Sequence, residues 1–567
     1  MVSMKGMVMN MNSTVQIVFG LLGGLAIFIF GMNMMSECLQ KAAGERMKAI
    51  LALLTKNPAL GVLAGALTTA VLQSSSATTV MTIGFVSAGL MNLPQAISII
   101  LGANIGTTIT AQIIAFKISD YIYVFIFLGF VISFVAKSQK AKNIGQTIFA
   151  FGLLFLGIET MGDVMKPLAG SPLFITMIEK VAHIPVLGVC TGILMTLVVQ
   201  SSSATIAVLQ NFASQAGPDG VSSIIGLTGA IPILLGDNVG TTITAFLASI
   251  GQTKDARRTA LAHCIFNLSG SVLFVCMVEP YAKLIRYLSP KGAEVDVISR
   301  QIANAHTGFN IIMTLIWIPL IWLLVKIVMA LLPGGQEERE SSEVWYLDNN
   351  LIGQPAAALQ LVTKEVVHCS NMVQQILDCV CEIIEQKKRG SIDSLMRDIK
   401  AEQEVHEKIT EYLANLFSSG VLTEEQATQT AGMMYVLSDV DRIAFLCGDI
   451  AEEIVQMEQR PKKSRLSKDA AKDLAKGLRK IRNMYAGAVA VMETGNEEDI
   501  KNIEKRRDKI MELGLKLRKE HMKRVSKGEC KASLTSAFTK VLHSMERMGN
   551  SCINIADAVT GFVDFKI

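Results

Sequence analysis

Gln73-Ser74-Ser75-Ser76-Ala77-Thr78 recurs as Gln200-Ser201-Ser202-Ser203-Ala204-Thr205. Each copy interrupts a long apolar stretch, about 58–91 for the first and 186–212 for the second. Hydroxyls and an amide have no reason to sit in hydrocarbon unless they contact something polar. A lone serine in a membrane helix usually bonds its own helix or glues a neighbour. Two triplets in corresponding halves instead point to one binding site shared by two repeats.

The 567-residue chain is half hydrophobic, but its charge is unevenly spread. Residues 1–333 hold 19 Lys/Arg and 12 Asp/Glu, and the remaining 234 carry the other 71 of the 102 charges. A membrane part is therefore followed by a soluble part, each long enough for its own core. The net charge of +4 forms no nucleic-acid-like patch, so nucleic acid is not an expected partner, whereas lipid is. The ten cysteines include no Cys-x-x-Cys pair, which suits reduced thiols in a cytoplasmic domain. The apolar N-terminal stretch from Val15 reads as a span and not as a signal peptide.

Candidate spans lie near 14–36, 95–116, 121–136, 143–161, 222–250, 260–280 and 308–332, with 121–136 short for a crossing. If the two Gln-Ser-Ser-Ser stretches are re-entrant hairpins, Lys41, Arg46, Lys48 and Lys56 share a side with Lys137, Lys140 and Lys142. Lys254, Arg257 and Arg258 fall there too. The positive-inside tendency makes that side cytoplasmic and favours hairpins. Non-helical backbone at membrane depth is tolerated only where it lines a cavity or is buried in protein.

The repetition extends further. Gly31-Met32-Asn33-Met34-Met35 echoes Gly157-Ile158-Glu159-Thr160-Met161, and Gly102-Ala103-Asn104-Ile105-Gly106-Thr107-Thr108 echoes Gly236-Asp237-Asn238-Val239-Gly240-Thr241-Thr242. Three spans per repeat is an odd number, so the second copy enters the membrane in the opposite sense. His263-Cys264-Ile265-Phe266-Asn267 and His306-Thr307-Gly308-Phe309-Asn310 are a smaller echo. After Leu332-Pro333-Gly334-Gly335 the pattern changes to six amphipathic helices, near 353–388, 393–418, 423–457, 465–495, 498–527 and 531–562. Thr423-Glu424-Glu425-Gln426 reads as a capping box opening the third, and Gln459–Ser464 divides the six into two groups of three.

The chemistry of the broken stretches is readable. A half-helix starting inside the membrane aims unpaired N–H groups at a cavity and makes an anion site. Serine hydroxyls serve an anion as donors and a cation as acceptors. The Gln carbonyls, Asn104, Asn238 and the threonines are hard oxygen ligands suited to sodium. No Arg or Lys lies in either motif, which favours co-bound cations as the neutralising charge. Asp237, whose counterpart is Ala103, is a candidate cation or proton site, or the partner of a nearby donor. The Gly-x-Asn-x-Gly-Thr-Thr pair reads equally well as close helix packing.

At these residues the chain closely resembles the type II sodium-dependent phosphate cotransporter family over roughly residues 14–333. The resemblance implies symport of inorganic phosphate with sodium by alternating access around two re-entrant hairpins. Gln73, Ser74, Ser75, Ser76, Gln200, Ser201, Ser202 and Ser203 would then surround phosphate and sodium, with Thr78 and Thr205 beside them. Asn104, Thr107, Thr108, Asn238, Thr241 and Thr242 would complete cation sites or hold the hairpins. The C-terminal part is similar to the PhoU family, regulators built from two three-helix repeats. That resemblance implies a divalent metal, for which Glu504, Asp508, Glu546 and Asp557 are the candidate ligands. The first repeat offers Glu402 with His406 in the corresponding place.

The expected architecture is all-α: repeat 1 over 1–142, inverted repeat 2 over 143–282, a final transmembrane helix and linker over 283–335, and a PhoU-like bundle over 336–567. The expected location is the bacterial cytoplasmic membrane, multi-pass, with the C-terminal domain in the cytoplasm. Expected partners are phosphate, sodium, a second copy of the chain and a cytoplasmic regulatory protein. The competing readings are a membrane-anchored phosphate sensor with little flux and a symporter of another oxyanion. No nucleophile–base set, phosphate-loop lysine motif or zinc spacing is present, so an enzyme is not expected.

Overall fold

The computed structural model describes residues 2–43, 57–116, 118–169, 184–217, 219–334, 344–384, 392–459, 467–494 and 497–561. Among them the regular elements are all helical. Arg46, Lys48 and Lys56 of the first basic cluster, and 460–464 of the dividing polar run, lie outside the described residues. The chain splits into two compact units, Met1–Glu337 and Glu338–Ile567.

In the first unit the apolar helix α1 (Val2–Ala43) lies along α7 (Gln139–Ala169), and α6 (Ile122–Val135) packs against α7 as well. These contacts are made by glycines. A Cβ built on Gly31 would lie 2.8 Å from the Leu154 nitrogen, and one on Gly129 would lie 2.2 Å from that of Phe149. Small residues let backbones meet where apolar side chains gain nothing by leaving lipid.

Each serine triplet starts a new helix. The first copy is α2 (Pro58–Leu72), α3 (Ser75–Ser87), α4 (Leu93–Gly106) and α5 (Thr108–Ile114). The second is α8 (Pro185–Val199), α9 (Ser202–Ala213), α10 (Gly226–Gly240) and α11 (Thr242–Ser249). The two copies share their packing. A Cβ on Gly102 would meet the Val62 carbonyl oxygen at 1.9 Å, and one on its counterpart Gly236 would meet that of Val189 at 2.1 Å. Gly65 and Gly192 close the same seams from the other side, at 2.1 Å from Ile99 O and 2.0 Å from Ile233 O. α2 is thus locked to α4, and α8 to α10, backbone against backbone.

α12 (Lys254–Val275), α13 (Val278–Leu288), α14 (Glu294–Trp317) and α15 (Ile321–Leu331) complete this unit. Their core joins Phe266, Phe274, Tyr281 and Phe309, with the Phe274 and Phe309 rings edge to face at 5.1 Å. The candidate span near 308–332 is broken by a bend. The helix begins at Glu294, and an 84° bend separates α14 from α15. Pro319 lies in the break, where it cannot donate a backbone hydrogen bond and its ring opposes helix continuation. Among the described residues five helical runs are long and apolar enough to cross a membrane, or six if the bent pair counts as one; α6 is shorter. The expected boundaries at 142/143 and 282/283 fall inside α7 and α13.

The second unit is α16 (Pro355–Ile384), α17 (Ile392–Ser418), α18 (Glu424–Gln459), α19 (Lys468–Thr494), α20 (Glu497–Ser526) and α21 (Thr535–Gly561). These are the six helices read from periodicity, in two mutually packed sets of three. The capping box is present: Thr423 N–H donates to Gln426 Oε1 at 3.0 Å, and Gln426 N–H to Thr423 Oγ1 at 3.2 Å.

The glycine seams give a stability test. Gly102→Ala or Gly236→Ala forces a methyl into a backbone carbonyl and should cost about 1–3 kcal/mol. The expected readout is a lowered midpoint of thermal unfolding in detergent, with Gly23→Ala, which meets no neighbouring atom, leaving it unchanged.

Candidate functional site

The break between α2 and α3 is made by one residue in an unusual conformation. Gln73 has φ 52° and ψ 24°, and Gln200, between α8 and α9, has φ 55° and ψ 23°. Among the described residues these are the only non-glycine positions with positive φ. A left-handed residue with a long side chain is uncommon and concentrates at functional sites. The next residue caps the new helix: Ser74 Oγ accepts from Ala77 N–H at 3.1 Å, and Ser201 Oγ from Ala204 N–H at 3.3 Å.

The two breaks meet. One cavity of about 270 Å3 is lined by Gln73, Ser74, Ser75 and Ser76 from the first copy and by Gln200, Ser201, Ser202 and Ser203 from the second. Ile29, Met32, Asn33 and Ser36 of α1 complete the wall with Val199. At about 30 Å3 per water, that volume holds a small oxyanion with several waters or ions. Two helix N-termini, α3 and α9, open on it, and two helix C-termini, α2 and α8, end on it. The first pair presents N–H groups and partial positive charge, and the second presents carbonyl oxygens and partial negative charge. The lining contains no Lys, Arg, Asp or Glu.

The other expected site residues lie behind the cavity wall. Thr78 accepts from Thr69 Oγ1 at 2.8 Å, and Thr205 Oγ1 lies 3.4 Å from Thr196 Oγ1. Asn104 and Asn238 face histidines, with His263 Nε2 at 3.4 Å and His306 Nε2 at 3.1 Å from their Oδ1 atoms. Thr108 and Thr242 donate to the carbonyls of Ile105 and Val239 within their own chain breaks, and Thr241 donates to that of Asp237. Thr107 is buried at the joint of α4 and α5. Asp237 is fully buried and accepts from Thr196 Oγ1 at 2.6 Å. Its other oxygen lacks a partner among the described residues, as do Asn267 Oδ1, Asn310 Oδ1 and the Nδ1 atoms of His263 and His306.

Asn33 and Ser36 escaped the sequence reading as lining residues, although the Gly-Met-Asn-Met-Met echo marked their segment. The His-x-x-Phe-Asn echo was visible, but its pairing with the two asparagines needs the fold. α12 and α14 share the register Arg257/Arg300, Ala260/Ala303, His263/His306 and Asn267/Asn310. Each touches both copies: α12 meets Asn104 through His263 and the Leu235 carbonyl through Ser271 Oγ, and α14 meets Asn238 through His306 and the Leu101 carbonyl through Thr314 Oγ1.

In the second unit the structure does not gather the four expected metal ligands. Glu546 is bound by both oxygens to Arg518 Nη2, at 2.9 and 3.0 Å, and Asp508 pairs with Arg507 at 3.1 Å. Guanidinium groups thus meet the charge a metal would have met. Glu504 and Asp557 remain near one another, and burial with that neighbouring charge raises the Asp557 carboxyl. The group with ligand geometry among the described residues is Glu402, His406 and Asp441, whose ligand atoms lie within 4.8 Å of one another. Glu402 is buried, accepts from Cys369 Sγ at 3.3 Å, and is pushed up to about 7 chiefly by burial. A carboxyl raised on folding stabilises fully below its unfolded value near 4.5, and that contribution is lost as pH rises through about 7. In metal-free buffer, Glu402→Gln should therefore flatten the decline of this unit's thermal midpoint between pH 5 and pH 8. The expected gain at the alkaline end is about 3 kcal/mol.

The comparisons with known proteins follow the same division. The sequence profile of the Na+/Pi-cotransporter family matches residues 27–163 and again 160–289, and that of the PhoU domain matches 474–559. YqeW of Bacillus subtilis, an uncharacterized protein, is 31 % identical over 310 residues, 55 % of this chain and 96 % of that protein. YjbB of Escherichia coli, named as a candidate inorganic phosphate export protein, is 21 % identical over 95 % of this chain and 96 % of its own length. Sodium-dependent phosphate transport protein 2A of Rattus norvegicus is 40 % identical over 101 residues, 17 % of this chain and 15 % of that protein. No solved structure matches. The chain is a transporter, not an enzyme: it belongs to the Na+/Pi-cotransporter family and carries a C-terminal PhoU domain.

Proposed function

We propose that the chain couples the movement of inorganic phosphate to sodium, by alternating access around the two Gln-Ser-Ser-Ser breaks. The observation that carries this reading is the single cavity into which both breaks open, polar but free of fixed charge. Helix N-termini and serine hydroxyls offer donors to a phosphate, and helix C-termini and glutamine carbonyls offer oxygens to sodium. With no lysine or arginine in the wall, sodium supplies the compensating charge, so anion binding becomes sodium-dependent. In this reading the breaks are re-entrant hairpins of two inverted repeats in the cytoplasmic membrane, and the PhoU domain is a cytoplasmic regulator. Asn104, Asn238, Thr107, Thr108, Thr241 and Thr242 hold the hairpins from behind, through the histidines and the chain breaks. Asp237 is the cation or proton site particular to the second copy.

The direction of net flux has a second reading. The YjbB relatives, matched over nearly the whole chain, are named for phosphate export. Proteoliposomes decide both questions. An inward sodium gradient should drive accumulation of labelled phosphate, and vesicles preloaded with phosphate should release it faster when the gradient is reversed. Saturable phosphate binding without sodium-dependent flux in either direction would overturn transport in favour of a sensor, and equal flux of sulfate would overturn the assignment of phosphate.

The site residues are tested in the same vesicles. Ser75→Ala and Ser202→Ala should each lower phosphate flux at least several-fold, since one lost hydrogen bond to a charged group is worth about 1.5–3 kcal/mol. Asp237→Asn should leave phosphate-saturated binding in place and shift the sodium or pH dependence of flux. Unchanged kinetics in all three would return these side chains to a packing role.

A further inference from the structure

The helices of the second unit bury one apolar stripe against their neighbours, but α20 carries another apolar line on its outside. Met511, Leu515 and Met522 are 44 %, 64 % and 56 % exposed. Their spacing along the sequence puts them on one face of the helix. A helix face that meets only water is ordinarily polar.

Charge on the same stretch is one-sided. Residues 515–527 hold six Lys/Arg and a single acid, Glu520. The two arginines turn inward, Arg518 to Glu546 of α21 at 2.9 Å and Arg524 to Asp473 of α19 at 2.8 Å. The four lysines, Lys516, Lys519, Lys523 and Lys527, stay exposed. Lys516 meets Glu520 at 3.9 Å, and Glu512 is an exposed acid at the N-terminal edge of the patch. Lys519 and Lys523 follow Leu515 at successive helical turns, so ammonium groups flank the apolar line.

The partner of such a face has to offer apolar depth below a layer of negative charge. A second copy meeting it on a two-fold axis would set one lysine row against its twin, which is repulsive. An acidic protein would satisfy the lysines, but a bilayer is already at hand. Nine residues, 335–343, join Gly334 to Val344, and a chain of that length reaches at most about 35 Å. Whatever its orientation, the second unit is thereby held beside the membrane at high effective concentration. Acyl chains suit Leu515 and Met522, and headgroup phosphates lie where extended lysine stems reach.

We propose that this face of α20 docks on anionic phospholipid of the membrane that holds the first unit. The inference goes beyond phosphate transport and takes from the reading above only the side, the cytoplasmic leaflet. It makes the freedom of the second unit depend on lipid charge and ionic strength.

The test uses the full-length chain in lipid discs, which expose both leaflets, so neither sidedness nor flux enters the result. Ser526→Cys, on the same face, carries an environment-sensitive fluorophore, and Tyr435→Cys on α18 carries it as the control; the parent with its native cysteines gives the background. Emission from position 526 should rise and shift to the blue in discs containing phosphatidylglycerol, stay low in phosphatidylcholine, and fall back in molar salt. Lys519→Gln with Lys523→Gln should lower the docked-to-free ratio by about 30-fold, the worth of two lysines at an anionic surface. Leu515→Ser with Met522→Ser should lower it by about 10-fold or more. Equal emission in the two lipids, an equal response at position 435, or a ratio that either double variant leaves unchanged overturns the docking. A response to polyglutamate in phosphatidylcholine discs, without one to phosphatidylglycerol, also overturns it and assigns the face to an acidic protein.

Discussion

A helix that ends inside hydrocarbon leaves carbonyls and amides that water cannot reach, and something must meet them. This chain ends four helices at one place: α2 and α8 arrive, and α3 and α9 depart. Two left-handed glutamines make the stops, and two serines cap the restarts. What is left over, a set of donors beside a set of acceptors, is the cavity. Close-packed glycine seams, buried His–Asn pairs and threonine links lie behind those four helix ends. A phosphate with sodium is chemistry that such a set can satisfy, because it supplies acceptors and positive charge together.

The serine triplets and their repetition were legible because polar residues are conspicuous in an apolar run. The six helices of the second unit were legible for the complementary reason: a solvated helix must alternate its faces at 3.6 residues, and the capping box marks a start. Less legible was anything that depends on a helix being apolar on every side. α14 begins at Glu294, well before the hydropathy of its second half suggests, and Pro319 then bends what reads as a continuous apolar segment. The partners of Asn104 and Asn238 come from helices more than 60 residues away in sequence. The carboxylates of α20 and α21 show the opposite failure. Their spacing suggests a shared ligand, yet Arg507 and Arg518 lie close enough to bind two of them, and spacing along one helix does not count the charges brought by its neighbours.

The near-identity of the two copies makes their differences informative. Ala103 and Asp237 occupy the same place, and only the second receives a hydroxyl, from Thr196 of α8. Gln73 is buried under Thr110, while Gln200 is exposed. The two breaks therefore present different groups to the one cavity they share.

The glycine seams carry a mechanical consequence. With backbone pressed on backbone and no side chain between, α2 and α4 have no flexible layer in which to shear, and neither do α8 and α10 or α1 and α7. Each pair is in effect a single thick plank. Large displacements in this unit therefore have to occur where side chains, not glycines, fill the joints. The helices that restart after the breaks, α3 and α9, meet their neighbours through hydroxyl and amide side chains, as at Ser87–Gln252 and Gln210–Ala111. α3 and α9 are the helices whose first turns line the cavity, so a shift at these joints would reshape it.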